Sequence, residues 1–164
     1  MESKFLVLHL GSNLDHRKGF LDKALEELNS FFGELIAISS IYETQAWGKG
    51  DQPDFLNMAV IYKCADSLEE ILRIIKGIEL SVGRQPRKRW FEREIDIDII
   101  FYGETSINIP HLQIPHPQMH ERRFVLVPLH EICPECIHPV FDKNVSQLLL
   151  ECTDTLHVDF WKEN

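Results

Sequence analysis

In Ile95-Asp96-Ile97-Asp98-Ile99-Ile100-Phe101-Tyr102 isoleucine alternates with aspartate before the segment turns wholly apolar. A period of two marks a strand with one face on a core. Working back, Gly83 closes a helix that Ser67 and Glu70 open as a capping box, with Leu68, Ile71, Leu72, Ile75 and Ile78 inward. Phe55 to Lys63 is a strand, and a loop over 45–53 separates it from a β-branched strand at 35–42. Further back, Gly33 stops a helix whose Leu21, Leu25, Leu28 and Phe32 share one face. Phe5 to Leu10 is the first strand, and Gly11-Ser12-Asn13 reads as a turn with a helix N-cap. The order βαββαβ predicts an α+β, ferredoxin-like antiparallel sheet with the helices on one face.

Beyond Tyr102, Pro110, Pro115, Pro117, Pro128, Pro134 and Pro139 break the last third into loops, a short helix near 119–132 and a C-terminal helical stretch. Length fits one domain spanning 1–164, with no linker or repeat. The 44% hydrophobic and 26% charged composition is that of a globular protein. No apolar run is long enough for a bilayer helix, and the N-terminal residues lack the pattern of a signal peptide, so a cytoplasmic protein without a membrane is expected. Four scattered cysteines predict reduced thiols rather than a disulfide framework.

A formal net charge of −9 argues against nucleic acid as a partner. Positive charge is nevertheless concentrated in one segment holding Arg84, Arg87, Lys88, Arg89 and Arg93, which predicts an anion there. That segment feeds directly into the strand that turns Asp96 and Asp98 to one face. Taken alone, the pair reads as a solvated acidic face; joined to the guanidinium groups, it offers what phosphoryl transfer needs, carboxylates for Mg²⁺ and positive charge for the transferring group. No P-loop or kinase-like glycine loop is present, so an ordinary kinase is excluded. A nucleotidyltransferase of the polymerase-beta type, a nucleotide-sensing module and a metal-dependent nuclease stay open as alternatives. Phe55, Trp47 and Asn57 suit the faces and edge of a flat heterocycle, although Phe55 also reads as core and Trp47 as a loop residue. His130, Cys133, Cys136 and His138 have spacings open to zinc, with structural cysteine the competing reading.

Several motifs together resemble one family. They are Gly11-Ser12-Asn13, Ser39-Ser40-Ile41-Tyr42-Glu43-Thr44, Asp51-Gln52-Pro53-Asp54-Phe55-Leu56-Asn57, Gly83-Arg84, Arg93 with Asp96-Ile97-Asp98-Ile99, Pro115-His116-Pro117, and Arg122-Arg123-Phe124-Val125-Leu126. In this order the chain resembles 6-hydroxymethyl-7,8-dihydropterin pyrophosphokinase, which passes the β- and γ-phosphates of ATP to the pterin alcohol. The resemblance implies two Mg²⁺ ions on Asp96 and Asp98, with Arg84 and Arg93 steadying the transferring group. It implies a pterin site of Thr44, Gln45, Trp47, Phe55, Asn57 and Phe124, and ATP contacts at Glu79, Trp90, Ile99, His116 and Arg122. The loops 45–53 and 84–93 are expected to close over ATP and the pterin. Gln45 stands where the family commonly has proline, and His111 where it often offers arginine to ATP, which implies weaker nucleotide binding. The register of Arg87, Lys88 and Arg89 against the family is open.

Overall fold

A computed structural model describes residues 2–48 and 50–163; Lys49, within the loop expected over 45–53, lies outside the described residues. The elements run β1 (Lys4–Ser12), α1 (Arg17–Phe32), β2 (Leu35–Ile38), β3 (Tyr42–Thr44), β4 (Phe55–Cys64), α2 (Leu68–Val82) and β5 (Asp96–Tyr102). Then come β6 (Ile107–Ile109), β7 (Leu112–Ile114), a 3-10 turn at Met119–Glu121, α3 (Arg123–Ile132), β8 (Ile137–His138), β9 (Lys143–Asn144), α4 (Val145–Glu151) and β10 (Val158–Phe160). The main sheet has the order β10-β3-β4-β1-β5, with β2 also paired to β4. All its pairings are antiparallel.

Pleat alternation divides the core into two halves. Leu6, Leu8 and Leu10 of β1, Met58, Val60 and Tyr62 of β4, and Ile97 and Ile99 of β5 pack with Leu21 and Leu28 of α1 and Ile71, Ile75 and Ile78 of α2. The opposite face carries Val7, Ala59, Ile61 and Phe101 against Val125, Leu126 and Leu129 of α3 and Val145 and Leu148 of α4. Each fully buried leucine contributes about 1.5–3 kcal/mol to this packing. The expectation of helices on one face is thereby corrected. The apolar stripe of 123–132 needs a surface to cover, and the odd-numbered residues of β1 and β4 supply one.

Two further expectations change. Gly11 and Ser12 continue β1 instead of turning out of it: Gly11 pairs with Asn57 on one side and Asp96 on the other. The N-cap of α1 is His16, which makes no side-chain capping bond. The strand expected over 35–42 is divided, because Ser39 replaces part of the backbone ladder with its side chain. Its N–H donates to the Ala59 carbonyl at 2.9 Å, and its Oγ accepts from the Ala59 N–H at 2.9 Å.

The helix signals hold. Ser67 caps α2, its Oγ accepting from the Glu70 N–H at 3.2 Å, although the Glu70 carboxylate turns to Arg73 rather than completing the box. Gly33 and Gly83 follow α1 and α2 with φ of 78° and 120°, which a side chain would resist. In β5 the alternation stops at a bulge opposite Val7 and Leu8, so Ile99 faces α1 and α2 while Ile100 and Phe101 face α3. No helix among the described residues is long and apolar enough to cross a membrane.

Candidate functional site

Register builds the site. Residues directly opposite in an antiparallel pair share a face, so Asp98 lies beside His9, and Asp96 beside Gly11 and then Asn57. Thr44 lies opposite Phe55 in the next pair. This row forms the floor of a cleft of about 170 Å³ on the α3 face of the sheet. The mouth is framed by the loops 45–53 and 84–93 and by Phe124 and Arg122 at the start of α3. Gly11 keeps the floor low, since a Cβ there would stand 3.0 Å from Asn57 Oδ1 and 3.5 Å from the Phe55 ring.

The structure brings all six expected pterin contacts to this cleft: Thr44, Gln45, Trp47, Phe55, Asn57 and Phe124. Asn57 is buried and donates through Nδ2 to Thr44 Oγ1 at 2.6 Å, which fixes its amide orientation. Asp96, Asp98, Arg93, Trp90, His116 and Arg122 also line the cleft. Three expected residues do not. Ile99 packs in the core beside α1 and α2. Glu79 is 2% exposed and lies beneath the site, accepting from the Ile97 N–H at 2.9 Å and pairing with Arg84 Nη1 at 2.6 Å. Arg84 reaches the site through its charge, with Nη1 3.1 Å from Asp96 Oδ1, while Arg93 Nη1 is 2.9 Å from Asp96 Oδ2.

Electrostatics set the carboxylates apart. Desolvation first, and then the neighbouring charge of Asp96, push Asp98 well above the ordinary carboxylate range, against the opposing pull of Arg122 and Arg93. Burial works to lower the Arg84 pKa, yet the carboxylates of Asp96 and Glu79 outweigh it and hold the guanidinium more firmly charged. Arg122 is shifted down by burial, only partly offset by Asp98 and Asp96. His116 is lowered to about 4, by burial and then by Arg122, and its Nδ1 accepts from the Gln118 N–H at 3.2 Å.

A divalent cation fits this donor set. Two carboxylates share one strand face, and a hard cation would offset both the desolvation and the Asp96 charge that raise Asp98. Among the described residues no group of three or more His, Cys, Asp or Glu side chains could hold a metal, so further ligands must come from a bound substrate or water. At the spacing open to zinc, Cys133 is buried, and His138 Nδ1 accepts from the Val140 and Phe141 N–H groups, each at 3.2 Å.

The two loops meet over the cleft. The Trp47 and Trp90 rings lie 5.8 Å apart, and the Arg122 guanidinium sits 4.7 Å from Trp47 and 5.7 Å from Phe124. Gln52 donates through Nε2 to the Trp90 carbonyl. Asn13, buried at the end of β1, holds both loops. Its Nδ2 donates to Gln52 Oε1 at 3.3 Å and to the Pro53 carbonyl at 3.1 Å, and its Oδ1 accepts from the Arg93 N–H at 2.8 Å.

Sequence reasoning missed His9 as a cleft residue, placed Gln52 only within the closing loop, left Arg89 aside with its register open, and assigned Gly11 and Asn13 to a turn. Of the basic segment, Arg89 stacks over Trp90 at 5.0 Å, whereas Arg87 is held by Glu94 in a bidentate pair at 2.7 and 2.8 Å.

The family model for 7,8-dihydro-6-hydroxymethylpterin-pyrophosphokinase matches residues 7–134. A 2-amino-4-hydroxy-6-hydroxymethyldihydropteridine pyrophosphokinase of Aquifex aeolicus is 41% identical over 148 residues, covering 90% of this chain and 92% of the relative. One of the same name from Bacillus subtilis is 41% identical over 127 residues, covering 77% of this chain and 76% of the relative. Among solved structures, a Plasmodium falciparum HPPK-DHPS triple mutant superposes with a TM-score of 0.74 over 92% of this chain at 20% identity, a likeness of fold. This chain spans 43% of that longer protein.

Proposed function

The chain belongs to the 7,8-dihydro-6-hydroxymethylpterin-pyrophosphokinase family, and on that premise we propose how its cleft performs the reaction, transfer of pyrophosphate from ATP to 6-hydroxymethyl-7,8-dihydropterin in folate biosynthesis. It is an ATP-dependent diphosphotransferase, and its products are AMP and the pterin pyrophosphate. The observation that carries the proposed assignment of roles is the shared face of Asp96, Gly11 and Asn57, which sets an anion-handling end beside a slot for a flat ring.

In this reading the pterin lies between Phe55 and Phe124, with Asn57, Thr44 and the backbone of Gln45 to Trp47 reading its polar edge. The strand order β3-β4-β1-β5, with α1 and α2 on one face, supports a ferredoxin-like core, and residues 1–164 are read as one catalytic domain. ATP is assigned to Trp90, His116 and Arg122. Glu79 acts through Arg84 rather than by touch, and Ile99 would meet the nucleotide only through its backbone. Two Mg²⁺ ions held by Asp96 and Asp98 would supply charge neutralisation across the phosphates.

The hydroxymethyl oxygen attacks the β-phosphorus in line. A new oxygen–phosphorus bond forms as the bond to the α-bridging oxygen breaks, AMP departs and the hydroxyl proton is released. Arg84 and Arg93 leave Asp96 for the transferring group and steady the charge that spreads over its oxygens. Trp47, Trp90 and Arg122 roof the cleft and exclude water, which would otherwise hydrolyse ATP.

An Asp96→Asn, Asp98→Asn double variant tests the assignment of the metal site. Activity should fall by at least about a thousandfold, as expected for loss of a principal electrostatic element, while pterin binding measured by fluorescence persists. Activity within tenfold of the unsubstituted protein would remove these carboxylates from the reaction.

A further inference from the structure

His9 is a cleft residue that the reaction as described leaves unused. It is 3% exposed, stands opposite Asp98 in the register of β1 and β5, and lines the floor beside Gly11. Its ring meets Phe124 edge-on, with centroids 5.6 Å apart and planes at 60°.

The backbone of Phe124 acts on the ring as a hydrogen-bond acceptor. That carbonyl is available for a local reason: the residue four positions on is Pro128, inside α3, which has no N–H to close the helical bond. An imidazole that donates one nitrogen to a carbonyl is fixed in one neutral tautomer, and its other nitrogen is left as an acceptor. Here the other nitrogen is Nε2, which is buried and has no hydrogen-bond partner among the described residues. A buried acceptor left unmet is costly, so the arrangement calls for a donor. His9 Cε1, the ring atom between the two nitrogens, is 3.9 Å from the position a Cβ on Gly11 would take, which sets this edge of the ring beside the gap Gly11 keeps open. His9 does not join Asp96 and Asp98 as a metal-holding group of three.

We propose that His9 is the residue that recognises the hydroxyl of the substrate's hydroxymethyl arm, its Nε2 accepting a hydrogen bond from that O–H and so fixing the attacking oxygen at the carboxylate end of the cleft. This rests on the pterin reading given above. With the ring between Phe55 and Phe124 and its amide edge at Asn57 and Thr44, the hydroxymethyl group is the part of the substrate that brings a donor toward Asp96 and Asp98. His9 thereby selects for a pterin with a free hydroxyl over one without it, and no bond is made or broken at His9.

The test compares equilibrium binding of 6-hydroxymethylpterin and 6-methylpterin, by fluorescence titration with Mg²⁺ and a non-hydrolysable ATP analogue. The unsubstituted protein should favour the hydroxymethyl ligand by about tenfold, the value of one hydrogen bond to an otherwise unmet acceptor. In His9→Ala the preference should shrink to within about twofold, chiefly through weaker binding of the hydroxymethyl ligand. His9→Gln, which offers an acceptor at similar reach, should recover part of it. Pro128→Ala should also reduce it, by returning a helical N–H to the Phe124 carbonyl and releasing the ring. Variants that hold the ATP analogue normally and melt cooperatively qualify for the comparison. An equal preference in the unsubstituted protein and His9→Ala overturns the role of His9 and leaves the pterin reading standing. Failure of the unsubstituted protein to bind either pterin overturns both.

Discussion

Asn13 shows how much of the cleft depends on single side chains. One buried amide at the end of β1 bonds Gln52 and Pro53 of one loop and the Arg93 backbone of the other. Asn13→Ala should lower kcat/KM by about ten- to a hundredfold, the equivalent of about 1–3 kcal/mol for buried partners left unmet, with far-UV dichroism unchanged; steady-state kinetics check it. Gly11→Ala tests the floor. A methyl 3.0 Å from Asn57 Oδ1 forces that amide to move, so pterin affinity should drop by at least about tenfold while the ATP analogue still binds, as calorimetry would show. Legibility differed between these residues for a physical reason. Asp96 and Asp98 announced themselves because a carboxylate in an apolar strand is conspicuous. Gly11 and Asn13 suit a turn equally well, and only the pairing of β1 on both sides reveals that a glycine is needed for close approach. His9 gave no signal, since one histidine inside an apolar run reads equally well as core.

At the scale of elements, α3 is locked to the sheet by Glu131. Its carboxylate accepts from the Ser40 N–H, from Ser40 Oγ at 2.8 Å and from the Tyr42 hydroxyl at 2.6 Å. Burial would raise the pKa of this carboxyl, but the bonds from Tyr42 and Ser40 prevail and hold it below the usual value. The same contact occupies the gap between β2 and β3, where the ladder passes through the Ser39 side chain. Glu131→Gln should reduce stability by about 1–3 kcal/mol, measured by urea denaturation, and loosen the C-terminal end of α3. Elements with long periodic patterns, α2 and β5 above all, were legible from sequence. The strands β6 to β10 were not, because segments of two or three residues hold no full period, and β10 in addition pairs with β3, far back in the chain.

The molecule as a whole is a sheet covered on both faces, and the opening left beside α3 is the cleft. The second layer could not be foreseen from 123–132 alone, since a ten-residue amphipathic helix does not declare which face of a sheet it will cover. One consequence of that layer is sensitivity to acid. His138 is 4% exposed and stacks on Phe141 with centroids 4.2 Å apart, and its other aromatic neighbours are Phe101 and His120. Burial first, and then His120, lower its pKa below the ordinary 6.5. The folded state therefore keeps the ring neutral. The unfolded state takes up a proton as pH falls through about 6.5, so stability present above that value is lost below it. His138→Gln should flatten the fall in stability between about pH 7 and 5, leaving the share that His9 and His116, both lowered to about 4, contribute. What leaves the cleft decides whether it performs pyrophosphate transfer, and chromatographic quantitation of nucleotides after incubation with ATP, Mg²⁺ and 6-hydroxymethyl-7,8-dihydropterin reads it. One AMP is expected for each pterin pyrophosphate formed, with no turnover without pterin. ADP as the product, or AMP released with no pterin pyrophosphate, would contradict it.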